Sequence, residues 1–409
     1  MNKELKVKLG VFRNDRRAFY SFIVLATLFV LTLPAEILCN IRPLIIVVDG
    51  KPYFPITFTY SEKDFGGSLP SEPDYKSQSF ANLLSGTSTA TITNTDSSGL
   101  GLDLGDFEDD EDVPDTTLEP VSENIENSPR DFWMLWPPVR YDYKYIPTES
   151  VTGNVVLAAP YKTKSPIGEG FIESSWMDGH YLGTDDRGRD VLARLIYGFR
   201  ISMLFGVSLA ITGTLIGCLI GGTQGFFGGW VDLSGQRLTE IWGSIPRLYI
   251  LIILSSFLVP SALILFLTLN LTAWMGIAAY IRAEFLKIRN YEFVKAAKSL
   301  GVSNFKIMRR HILPNALTPV LTFFPFEVTA GILALVSLDF LNLGVPSPAP
   351  SLGELLAQGK NNLHALWILL PTFVTLSLAI TLLTFIGEGI RNAFDPRKTQ
   401  SCKGWQQYP

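Results

Sequence analysis

Two carboxylates stand in an unusual place. Glu327 lies mid-way along an apolar run that is otherwise almost uncharged, and Asp339 lies later in the same run. An ionised acid facing lipid costs roughly 2.5 to 3.5 kcal/mol on insertion scales, so Glu327 and Asp339 are expected to face a translocation path or a partner chain. An intramembrane acid is also the usual clue to an ion-coupled secondary transporter. Here both acids fall on one run, with no repeated broken helix to supply partners, so that alternative is the lesser reading. A second concentration of chemistry is basic: residues 282–310 carry Arg282, Lys287, Arg289, Lys295, Lys298, Lys306, Arg309 and Arg310 against only Glu284 and Glu292. No Gly-x-x-x-x-Gly-Lys-Ser/Thr loop is present, so the chain is not expected to hydrolyse ATP, to be an enzyme or to need a cofactor. Three cysteines, Cys39, Cys218 and Cys402, imply neither a disulfide framework nor a metal cluster.

The elements that must carry these groups are membrane spans. Of 409 residues 47% are hydrophobic and 18% charged, where a soluble domain has about 25% charged. Residues 201–222 and 365–387 contain no charge, and each is long enough to cross a bilayer. This excludes a soluble enzyme. Residues 19–39 form a first span behind a basic tail, 1–18, that holds Lys3, Lys6, Lys8, Arg13, Arg16 and Arg17. No small-x-small cleavage site follows it, so it reads as a retained anchor rather than a signal peptide.

Residues 248–281 are uncharged throughout, which as one helix would measure about 51 Å against a hydrocarbon core of about 30 Å. Pro260 offers the break, giving two shorter spans if the first begins near Ile241. Residues 317–343 and 365–387 bring the total to six. With six spans the basic loop falls on the same side as the basic amino terminus, as a cytoplasmic loop should. Both termini are then cytoplasmic, the second within the tail 391–409. Residues 40–198 are exported. Within them the Ser/Thr-rich and acidic stretch 77–128 has too little apolar surface to offset chain entropy and reads as a disordered insertion. The expected class is an all-α membrane protein with a large exported loop between helices 1 and 2, and a five-helix core at 199–390.

Within the basic loop, 282–316, a short helix with two small residues is followed by a glycine able to end it. A second amphipathic helix follows, stopped by proline. Such a corner is a shape that a partner can grip. Lys295, Ala296, Ala297, Gly301, His311, Leu313 and Pro314 resemble the cytoplasmic coupling motif of ABC importer permeases, with Lys295 where the family's glutamate is usual. The His-Ile-Leu-Pro-Asn that begins at His311 is the form typical of peptide importers. Gly183, Thr184, Asp185, Gly188, Arg189, Asp190, Arg194, Gly198 and Arg200 resemble the signature ahead of the second span in the C-type permeases of the peptide and nickel family. Asp339 to Pro346, Pro350 to Glu354 and Asp395-Pro396-Arg397 extend the likeness. Asp49-Gly50, Tyr53-Phe54-Pro55, Asp64 to Gly67 and Gln358 to Leu363 are similar to the Yej-type subgroup, which takes up microcin C and peptides.

This resemblance implies the type I importer permease fold in a bacterial inner membrane, with lipid and no nucleic acid around it. It implies a second, related permease as partner in a heterodimer, cytoplasmic ATPase subunits that bind the ATP, and a periplasmic substrate-binding protein. It also implies alternating access: closure of the ATPases moves the helix at Ala296 and Ala297 as a lever and rocks the spans against those of the partner.

Overall fold

The computed structural model describes residues 3–85, 131–147, 155–164, 171–257 and 261–394. The chain divides into two units, Met1–Cys39 with Pro138–Pro409, and Asn40–Pro137.

The larger unit opens with α1 (Lys3–Asn14) and α2 (Arg16–Thr32), joined at Asp15, which caps α2 by accepting a hydrogen bond from the Ala18 amide. Pro34 has no amide to donate, so the helix breaks there and resumes only as the four-residue α3 (Ala35–Leu38).

Next comes the smaller unit, with β1 (Ile45–Val48), β2 (Lys51–Tyr53), α4 (Gln78–Leu84) and β3 (Phe132–Leu135). β1 is central, paired antiparallel to β2 in register Ile46 to Tyr53 and to β3 in register Ile46 to Met134. The hairpin turn is Asp49-Gly50, both at positive φ, the geometry that a two-residue turn between right-twisted strands requires. Ile46, Val48, Phe65, Tyr75, Phe80 and Leu84 form its core. Residues 77–85, expected as the start of a disordered insertion, are ordered. Ser77 instead caps α4 through the Phe80 amide, and Phe80 and Leu84, one helical turn apart, are buried. The rest of that insertion, 86–128, lies outside the described residues.

The larger unit resumes at Pro138. It takes in the short pair β4 (Thr163–Lys164) and β5 (Phe171–Ile172), then α5 (Val191–Phe227), α6 (Gly229–Gly243), α7 (Arg247–Phe257) and α8 (Ala262–Ile288). α9 (Glu292–Ser299) and α10 (Asn304–Ile307) lead through a π-helical turn, Met308–Ile312, into α11 (Leu313–Phe340). α12 (Leu352–Asn361) and α13 (Leu366–Phe394) complete it. Residues 138–198, expected as part of one exported loop with 40–137, thus belong with the helices.

Among the described residues, four helices are long and apolar enough to cross a membrane: α5, α8, the continuous run Asn304–Phe340, and α13. α2, at 17 residues, spans about 26 Å and α7, at 11 residues, only about 16 Å. The first limb of the expected hairpin is therefore a short helix that starts at Arg247, later than the Ile241 start read from the sequence. Leu258 to Pro260 and the Arg247 side chain lie outside the described residues. Ser261 caps α8 by accepting from the Ile264 amide. α5 and α8 approach closely because Gly213, Gly217, Gly221 and Gly225 recur every fourth residue. A Cβ at Gly221 would fall 2.2 Å from the Ala278 carbonyl oxygen.

Candidate functional site: a coupling corner and the charged knot behind it

α9 is short, and its sequence divides it into two faces. Val294 and Ala297, three apart, are buried among Ile281, Phe285, Ile307 and Ile312, so the corner stands on the stems of α8 and α11. Lys295, Ala296 and Lys298 point outward, and Lys295 pairs with Glu292 at 3.1 Å. The helix ends in a Schellman motif: the Gly301 amide donates to the Lys298 carbonyl and the Val302 amide to the Ala297 carbonyl, at 3.1 Å each. Gly301 is at φ +74°, and open space surrounds its missing Cβ. His311 sits half-buried in the π-helical turn, its carbonyl accepting from Asn315 Nδ2 at 2.8 Å. Leu313 flanks the core, and Pro314 is exposed in the first turn of α11.

Two findings correct the expectation for this loop. Ala297 is turned towards its own chain, 8% exposed. The outward surface is instead more apolar than the motif suggests. Leu300 and Phe305, on either side of Gly301, are 82% and 72% exposed, and Tyr291 and Phe293 are exposed beside them. Their apolar type argued for the core. Only their places next to a helix stop could have flagged them.

Ahead of α5, charge is buried rather than presented. Gly183, at φ +75°, leaves no room for a Cβ, which would meet the Ala158 carbonyl at 2.6 Å. Thr184 accepts from the Ala158 amide and donates to the Val155 carbonyl. Asp185 is fully buried. It accepts from the Arg187 and Arg189 amides and from Arg189 Nε at 2.7 Å, across a turn made at Gly188. Arg189 Nη2 also reaches Glu354 Oε1 at 3.1 Å, and Arg194 meets Glu354 Oε2 and the carbonyls of Tyr143, Pro348 and Ala349. The guanidiniums of Arg189 and Arg194, with exposed Arg187 3.9 Å from Glu354 at the edge, thus face two carboxylates with most donors used, which is the condition for burying ions at tolerable cost. Burial alone would lower the pKa of Arg189, but Asp185 and Glu354 hold it above its ordinary value. Burial and the neighbouring Asp185 charge push the Asp186 carboxyl up.

Asp190 caps α5 at the Ala193 amide and holds His180 Nδ1 at 2.8 Å. Gly198 lets α5 pass close to the backbone of Leu352. Arg200 makes a bidentate pair with Glu36, 2.9 Å on each arm, and donates to the Leu33 carbonyl. The whole signature ties the start of α5 to α12 on one side and to α3 on the other. Glu354, its central acid, lies about 160 residues away from Arg194 in sequence.

The intramembrane acids separate. Glu327 is half-buried and lines a cavity of about 80 Å³ between α5, α8 and α11, walled by Ala210, Ala273, Ala330 and Gly331. Asp339 contradicts the expectation: it is 6% exposed and faces its own chain. It accepts from the Val345 amide at 2.9 Å and from the Ser351 hydroxyl. It closes the loop between α11 and α12.

A family model described as "Binding-protein-dependent transport system inner membrane component" matches residues 213–400, which include the corner. The peptidoglycan transport system permease protein YejE of Agrobacterium fabrum is 41% identical over 394 residues, 95% of this chain and 92% of its own. The inner membrane ABC transporter permease protein YejE of Escherichia coli is 38% identical over 387 residues, 95% of each. The oligopeptide transport system permease protein OppC of Escherichia coli is 34% identical over 294 residues, 69% of this chain and 96% of its own. The chain belongs to the inner-membrane components of binding-protein-dependent transport systems and is a multi-pass permease subunit of an ABC importer.

Proposed function

We propose that this permease carries peptides or peptide-like compounds inward as one half of a heterodimer, driven by a cytoplasmic ATPase that grips the α9–α10 corner. The observation that carries the reading is the corner itself. An outward surface of Ala296, Gly301, Leu300 and Phe305 is mounted on a buried base shared with α8 and α11. Exposed apolar side chains on a basic loop fit a protein partner better than water. A push there reaches two long helices through Val294, Ala297, Ile307 and Ile312. Peptidic cargo is favoured by the likeness to peptidoglycan and oligopeptide permeases and by the His311 motif.

In this reading ATP is bound by the partner ATPase and the permease needs no cofactor. A periplasmic binding protein delivers the cargo, both termini are cytoplasmic, and residues 40–198 are exported. Glu327, beside its small cavity, faces the path or the second permease.

The test is a pair of variants on the exposed side. Gly301→Val forces a β-branched residue into the left-handed region, and Leu300→Asp places a charge where an apolar contact should form. Each should abolish peptide uptake and release the ATPase from purified membranes, while the permease still inserts. Ala297→Asp is not a fair test, because it would break the buried base. Wild-type uptake with the ATPase retained in both variants would sink the proposal.

A further inference from the structure

A groove of about 280 Å³ runs between α1, α2 and α13, lined by Leu9, Phe12, Phe22, Ile390 and Phe394 and by the stem of Lys8. Its wall is apolar throughout, and one basic side chain, Lys8, stands at its edge. Lys8 Nζ stands 4.5 Å from the centre of the Phe394 ring, and Arg13, Arg16 and Arg17 are exposed on the same two helices. Residues 3–17 carry six basic residues against Glu4 and Asp15, and Asp15 is engaged as the cap of α2 and with Asn392. A basic amphipathic helix next to a span rests at the membrane surface, and anionic headgroups gather there.

We infer that this groove is a binding site for one anionic glycerophospholipid, with an acyl chain between α1 and α13 and the phosphate at Lys8. The competing occupant is the chain's own tail, residues 395–409, which follow Phe394 in sequence and lie outside the described residues. That tail contains Arg397, Lys398 and Lys403 and no apolar run, so it suits an apolar slot edged by Lys8 poorly. A lipid matches both parts: hydrocarbon for the wall, negative charge for Lys8. Bound there, it would pin α1 against the end of α13, the last helix of the permease unit.

Native mass spectrometry of the full chain, released from micelles with equal phosphatidylglycerol and phosphatidylcholine of one acyl composition, reads the site directly. The wild type should keep one phosphatidylglycerol in preference. Lys8→Glu should lower the phosphatidylglycerol to phosphatidylcholine ratio about fivefold, the scale of one surface cation. Leu9→Trp, which fills the groove from an exposed position, should lower retention of both lipids. An unchanged thermal melt of both variants in detergent keeps the comparison fair. Wild-type retention in Leu9→Trp, or an unaltered headgroup preference in Lys8→Glu, overturns the inference. So does a lipid that binds only after residues 396–409 are removed, since the groove would then belong to the tail.

Discussion

Glu354 sits between two guanidiniums that have little else of opposite charge near them, since Asp185 is the other acid in the knot. Breaking a buried ion pair by removing one partner costs about 3 to 5 kcal/mol, because the survivors stay buried and uncompensated. Glu354→Gln is therefore expected to lower the melting temperature of the detergent-solubilised permease by several degrees, checked by scanning fluorimetry. An unchanged melt would show the knot to be incidental. At this scale the sequence was legible unevenly. The likeness to a family signature singled out Asp185, Arg189, Asp190 and Arg194 as a group, and the structure keeps them together. It could not reveal Glu354 as their partner, because a pair about 160 residues apart leaves no trace in spacing. Asp339 was read as an acid in an apolar window, although Ser351, twelve residues on, satisfies it. Burial with a hydrogen-bond partner and exposure to a path look alike in one dimension.

The elements follow from ordinary signals where those signals are local. Caps at Asp15, Ser77, Asp190 and Ser261 start helices, Pro34 stops one, and Gly301 turns the corner. α6 is harder, since none of its residues is buried, and its sequence does not say what holds it. Asp232 does so in part, by pairing with Arg282 of α8 through both carboxylate oxygens. The Arg282 hydrogen bond holds the Asp232 carboxyl below its ordinary value. A lowered carboxylate pKa contributes stability above the unfolded value, about 3.9, and that contribution is lost as pH falls through the lowered one. α6 should thus stay docked at neutral pH and loosen only in acid. Hydrogen exchange of the α6 amides should be flat between about pH 7 and pH 5 once corrected for intrinsic rates, and Asp232→Asn should raise it at neutral pH. Protection that already fades across that range in the wild type would assign the tether elsewhere.

At the scale of the whole molecule, the larger unit is interrupted once, and its two broken ends lie side by side. Val139 donates its amide to the Leu38 carbonyl at 3.0 Å, and Cys39 bridges to Val139. The division at Pro137 escaped the sequence reading because composition changes at 77 and 128, while the boundary is set by packing of Val139 and Tyr141 against Ala193 and Tyr197 of α5. Replacing residues 41–136 by a short glycine-serine connector should therefore leave membrane insertion and the melting temperature close to wild type, as membrane fractionation and a detergent melt would report. Loss of inserted protein would mean that the two units fold as one. The same larger unit carries one further device, the π-helical turn at Met308–Ile312. Such a turn holds one residue more than an α-helical turn, and one residue of α-helix corresponds to about 100° of rotation. The corner below it and the long span above it are therefore out of phase by nearly a third of a revolution. Any event that tightened the turn to α-helical pitch would twist α11 about its own axis, so thrust received at the corner could emerge in the bilayer as torque.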